Sequence, residues 1–135
     1  MKFTKEEISL CKQVAENYRK KIKRGDWIID DKGEVCLIEN IDKDNTMMAG
    51  YGKNIRYFSL DYSEIIPLWT ISDCLEFLRE KGWTNYQFNS NKEGKTELHV
   101  IQTPFEFKSN QEIIETGTFL ESLLKAILAV LEEEK

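Results

Sequence analysis

The chain has 135 residues, 41% hydrophobic and 32% charged, with a formal net charge of -5, which fits one globular domain or two small ones and excludes collagen-like and strongly disorder-prone compositions. No apolar run is long enough to cross a bilayer, and Met1-Lys2-Phe3-Thr4 leads straight into an amphipathic stretch, so a cytoplasmic protein with no membrane contact is expected. Of the 19 bases and 24 acids, eight bases and three acids fall in residues 1–24, so a basic segment precedes an acidic body.

Thr4-Lys5-Glu6-Glu7 is a capping box, in which the threonine hydroxyl and the glutamate carboxylate each accept from the other's backbone N–H. Ile8, Cys11, Val14, Ala15, Tyr18 and Ile22 then recur at three- and four-residue steps. That spacing predicts a basic amphipathic helix within residues 1–24, with Gly25 as its stop.

From Gly25 the period shortens. Trp27-Ile28-Ile29, Glu34 to Ile41, Thr46 to Tyr51 and Ile55 to Leu60 are β-favouring runs. Between them stand Asp30 to Gly33, Asp42 to Asn45 and Gly52 to Asn54, all rich in turn formers. Asp61-Tyr62-Ser63-Glu64 reads as a further turn, with Ile65-Ile66 returning as a fifth strand. Strands this short and this closely connected favour a curled, SH3-like antiparallel barrel over residues 25–66. Pro67 has no N–H for a ladder, which sets a junction over residues 67–71.

Residues 72–135 read as a helix, an antiparallel sheet and a helix. Thr70 or Ser72 caps the first helix, Cys74, Leu75 and Leu78 form its stripe, and Gly82 closes it. Alternating runs follow from Trp83 to Phe88 and from Leu98 to Gln102, joined by a turn at Asn91-Lys92-Glu93-Gly94. Thr103-Pro104 interrupts the pattern before an edge strand or bulge at Phe105-Glu106-Phe107, and Glu112 to Glu115 gives a last strand. Thr118 to Glu121 is a second capping box, and Phe119, Leu120, Leu123, Leu124, Ile127, Leu128 and Leu131 make the widest apolar face of the chain. The predicted class is α+β: an N-terminal helix, a small SH3-like barrel, then a helix-sheet-helix module.

The run Ile71 to Trp83, the strands after it, and Glu115-Thr116-Gly117-Thr118-Phe119-Leu120-Glu121 leading to Ala126 and Leu128 resemble the phage ABA sandwich domain family over residues 70 to 134. The likeness rests on a helix ending in a Gly-aromatic pair and on a Gly-Thr step into an Ala/Leu helix. It implies a helix, sheet, helix order and a phage or prophage origin, and brings no activity with it.

No catalytic or metal constellation emerges, so neither an enzyme nor a bound cofactor is expected. His99 is the only histidine, which removes every two-histidine metal motif, and it sits between Leu98 and Val100 as a strand residue. Asp42-Lys43-Asp44-Asn45 begins like a calcium loop, but Met47 stands where that loop needs glycine and Lys53 where it needs glutamate. Gly50-Tyr51-Gly52 lacks the Lys-Ser/Thr of a phosphate loop. Cys11, Cys36 and Cys74 are odd in number and far apart, which suits reduced core thiols.

Two binding surfaces remain as candidates. Met47, Met48, Tyr51, Tyr57 and Tyr62 could line a protein interface, with a partner protein or with a second copy. Arg19, Lys20, Lys21, Lys23 and Arg24, extended by Lys53 and Arg56, could meet a nucleic acid or an acidic partner. The leading expectation is a non-catalytic binding protein acting through protein contacts, with nucleic-acid binding as the rival.

Overall fold

The computed structural model describes residues 2–90, 96–102, 111–116 and 118–135, with side chains described for 2–83 and 118–135. The chain forms two compact units, residues 1–14 with 69–135 and residues 15–68. The second is thus an insertion between the first helix and the rest of its unit, an organisation that the reading of consecutive modules did not anticipate.

In the discontinuous unit, α1 spans Lys5–Ala15. Its capping box forms as predicted: the Glu7 N–H donates to Thr4 Oγ1 at 3.0 Å and the Thr4 N–H to Glu7 Oε1 at 2.7 Å. Helix α1 stops ten residues short of Gly25, because the later part of its apolar period serves another core. Ile22 is buried with the β unit's hydrophobic residues, and the Arg19 guanidinium bonds the carbonyls of Ser63 and Ile65. Those contacts draw residues 16–24 away from helix, so the basic segment is not a helix C-terminus.

The β unit holds β1 (Trp27–Ile29), β2 (Val35–Ile41), β3 (Thr46–Tyr51), β4 (Asn54–Ser59) and β5 (Ile66–Leu68). All pair antiparallel, in the order β4-β3-β2-β1-β5. The ladder is open: β4 and β5 are its two edges, so the expected barrel is not closed by strand pairing. Curling is nevertheless evident, because residues from every part of the sheet share one core of Ile28, Cys36, Ile38, Met47, Ala49, Phe58 and Ile65. The fifth strand runs through Pro67, which pairs with Ile28 instead of starting a linker. An edge position explains this, since a strand flanked on one side has no use for every N–H.

Two of the hairpin turns share one construction. In the first, Asp30 Oδ1 accepts from the Lys32 and Glu34 N–H groups, and Gly33 has φ +83°. In the second, Asp42 Oδ1 accepts from the Asp44 and Thr46 N–H groups, and Asn45 has φ +61°. Glycine and asparagine are the residues that tolerate this left-handed position. Asp42 is therefore engaged in closing its own turn.

Helices α2 (Ile71–Glu80) and α3 (Phe119–Glu133) precede and follow in sequence a three-stranded antiparallel sheet of β6 (Trp83–Ser90), β7 (Thr96–Gln102) and β8 (Gln111–Thr116), in the order β6-β7-β8. Helix α2 touches β6, α3 touches β7 and β8, and the two helices touch each other. Thr70 is the α2 cap, in a capping box completed by Asp73, and Gly82 takes φ +88° just beyond the helix. Phe77 joins Cys74 and Leu78 inside, edge-on to the buried Trp69 at 5.6 Å between ring centres. Along α3 burial reaches Leu120, Leu123, Leu124, Ile127 and Leu131, while Phe119 stays exposed. The strand expected over Glu112 to Glu115 is β8. The expected turn Asn91 to Gly94 and the interruption at Thr103 to Phe107 lie outside the described residues.

Glu7 links α1 to α3. Its Oε2 accepts from Thr118 Oγ1 at 3.2 Å, and Thr118 in turn caps α3 by accepting from the Glu121 N–H at 3.0 Å. The Trp69 N–H donates to Cys11 Sγ at 3.4 Å, a second tie from α1. Among the described residues no helix is long and apolar enough to cross a membrane. Glu7→Ala removes an acceptor shared by two helix starts and is expected to lower unfolding free energy by about 1–3 kcal/mol. Urea denaturation followed by far-UV circular dichroism measures the loss, and Glu7→Gln, which keeps one acceptor oxygen, should recover part of it.

Candidate functional site

Strand β2 is apolar on both faces at its start. Cys36 and Ile38 enter the core, so Val35, Leu37 and Glu39 face outward. Trp27 lies opposite Leu37, and Leu37 opposite Gly50, which makes a row across three strands whose last place has no side chain. With Glu34, Tyr51 and Gly52 at one end, these residues line an open cleft of about 620 Å³. A Cβ placed on Gly50 would lie 2.7 Å from Glu39 Oε1, so the glutamate side chain crosses the cleft over the glycine. The result is an apolar floor carrying two carboxylates.

Beyond Tyr51, at the end of the cleft, lies a buried ionic cluster. The Asp30 side chain is wholly shielded from solvent. Besides the two turn N–H groups, it accepts from Tyr51 Oη at 2.5 Å and from Arg56 Nη1 at 2.9 Å, both on Oδ2. Arg56 also reaches Asp31 at 3.4 Å and lies 4.6 Å from the centre of the Phe58 ring. Burial alone would raise the Asp30 pKa, but the Tyr51 hydroxyl, the Glu34 and Lys32 backbone and the Arg56 charge together bring it below the usual carboxylate value. Burial pushes the Tyr51 phenol up, and its bond to Asp30 adds to that shift. The Cys36 thiol is likewise raised by burial, against a lowering bond from Tyr51. Asp30 is thereby a weak base, Tyr51 a weak acid and Cys36 a poor nucleophile at neutral pH.

Several of the sequence-predicted site residues are held by neighbours within the β unit. Arg19 is bound to backbone carbonyls, Lys20 Nζ is 3.8 Å from Asp26 Oδ2 with both side chains largely buried, and Arg56 belongs to the Asp30 cluster. Lys21, Lys23, Arg24 and Lys53 are exposed. Met47 is a core residue with no accessible surface, which removes it from any interface. Met48 and Tyr51 are half-buried, while Tyr57 and Tyr62 are exposed. Tyr62 meets the Phe58 ring edge-on. The backbone of His99 lies in β7 opposite Gln87 and Ile113, and its side chain is outside the described residues. Among the described residues no three of His, Cys, Asp and Glu converge as metal ligands.

Trp27, Leu37 and Glu39 were not singled out from sequence. One signal was present in the unbroken apolar run Val35-Cys36-Leu37-Ile38, too apolar for a strand with one face in water. Comparison of the chain with family models, curated proteins and solved structures finds no match.

Because the folded pKa of Asp30 lies below its ordinary value of 3.8, the cluster contributes its full stability above that value. The contribution disappears as the pH falls from there through the folded pKa. Asp30→Asn is expected to cost about 2–3 kcal/mol at neutral pH, because a buried charge that accepts several bonds is lost. It should also flatten the acid limb of stability, which denaturation midpoints taken from neutral pH down through the carboxylate range measure directly.

Proposed function

We propose that the chain is a non-catalytic binding protein whose β unit takes an extended segment of a partner protein into the outer cleft. The observation that carries this is the composition of the cleft, in which the apolar surfaces of Trp27, Val35 and Leu37 are bordered by Glu34 and Glu39. Its volume suits one or two side chains of a larger ligand, since pockets for whole small molecules span about 300–1,000 Å³ but are enclosed. The chemistry it fits is an apolar side chain next to a lysine or arginine, the first on the floor and the second against a glutamate.

Two further observations support the reading. In the ionic cluster beside the cleft, Asp30, Cys36 and Tyr51 all have pKa values displaced from neutrality in the unhelpful direction. Three of the seven bases proposed for nucleic acid, Arg19, Lys20 and Arg56, are engaged internally, which reduces the charge available to phosphates. Burial of the thiols of Cys11, Cys36 and Cys74 supports a reducing, cytoplasmic setting. A phage- or prophage-encoded accessory protein is proposed from the sequence resemblance over residues 70 to 134 alone.

Selection of a random peptide library on the full chain is expected to enrich Lys or Arg beside Leu, Ile or Phe. Binding of the selected peptides, measured by calorimetry, should weaken about tenfold or more for Glu39→Lys and vanish for Leu37→Asp. Peptides without such a bias, together with salt-sensitive binding of mixed-sequence DNA that Lys21→Glu with Lys23→Glu removes, would replace this reading with nucleic-acid binding.

A further inference from the structure

The five-stranded sheet has two edges, and they are finished differently. Strand β5 carries Pro67, and both Pro67 and Leu68 are buried. Strand β4 shows none of the devices that blunt an edge. It has no proline, its register with β3 is unbroken, and its one charge, Arg56, is turned to the inner face and held by Asp30 and Asp31. On the outer face it presents Ile55 and Tyr57, which are 49% and 67% exposed.

The hydrogen-bond phase of β4 follows from one contact. The Leu60 N–H donates to the Asn45 carbonyl at 2.8 Å, and the register continues from that pair through Phe58 with Met47 and Arg56 with Ala49. Alternation in an antiparallel ladder then turns the backbone groups of Ile55, Tyr57 and Ser59 away from β3. Among the described residues no strand pairs with that side.

We propose that this edge pairs with the same edge of a second copy of the chain, antiparallel and two-fold about Tyr57. Self-pairing allows few registers. A two-fold axis at Arg56 would set two guanidinium groups directly opposite each other, where like charges repel. An axis between residues would set outer-face side chains against inner-face ones. Centred on Tyr57, the pairing places each tyrosine opposite its equivalent in a hydrogen-bonded pair and Ile55 opposite the partner's Ser59. The Ser59 carbonyl already accepts from the Tyr62 N–H, so the Ser59 N–H is the group that serves Ile55. Arg56 then falls opposite the partner's Phe58, repeating across the seam the cation-ring contact that it makes within its own chain.

A pairing this short buries less than the roughly 1,200 Å² of a standard specific interface, so the dimer depends on concentration. Sedimentation velocity of the full chain from about 10 μM to about 1 mM is expected to show monomer passing to dimer. Tyr57→Lys should move that transition up by about tenfold or more. Under oxidation Tyr57→Cys should form a disulfide-linked dimer several times faster than Ile55→Cys, since only the first places its thiol opposite its equivalent. For the unaltered chain, amide exchange at Tyr57 and Ser59 should slow as concentration rises, a reading that needs no variant to fold. A chain that stays monomeric at every concentration, a dimer indifferent to Tyr57→Lys, or equal cross-linking of the two cysteine variants overturns the proposal.

Discussion

A carboxylate with its side chain fully out of water is costly in any small fold, and at Asp30 the cost is offset because every acceptor direction is filled. Two turn N–H groups, a phenol and a guanidinium meet its two oxygens. Without them, an ionised group in that position would cost several kcal/mol, comparable with the whole stability of a unit this size. The donors come from the β1–β2 turn, the end of β3 and the middle of β4, so the cluster joins the β1–β2 hairpin to the β3–β4 hairpin. Asp42 shows what the same turn looks like without that role: its geometry is equal, its exposure is high, and among the described residues no side chain reaches across to it in the same way.

Local chemistry was legible in the sequence wherever it is completed by neighbours in the chain. The Thr4–Glu7 box, the Asp42–Asn45 turn, the long apolar face of α3 and the β-favouring runs of β2 and β3 each appear where the local sequence puts them. What failed depends on distant residues. An apolar period says that Ile22 will be buried, not in which core, and α1 ends early because the answer is the β unit. Pro67 is excluded from a ladder only if both sides of its strand are paired, and that follows from topology. Asp30 and Asp42 have the same local pattern, and only Tyr51 and Arg56, more than twenty residues away in sequence, distinguish them.

The candidate site was harder to read for a related reason. Aromatic and basic residues attract notice in a sequence, but here Met47 fills the core and Arg19, Lys20 and Arg56 serve the fold. The surface that resembles a recognition site is made by residues that look like core: Trp27, Val35 and Leu37. A strand apolar on both sides has more hydrophobic surface than its own interior can use, and the excess is where binding is cheapest to build.

The insertion of the β unit bears on how the molecule comes to be made. Helix α1 closes with partners that follow the β unit, at Trp69, Thr118 and Glu121, the last two in contacts separated by 111 and 117 residues. A ribosome releases the chain in order, so the β unit can condense while α1 waits, its Leu10, Cys11 and Val14 stripe still unmatched. Each nascent chain therefore passes through an interval with an assembled middle and an orphan leading helix. During that interval the apolar stripe of that helix is exposed.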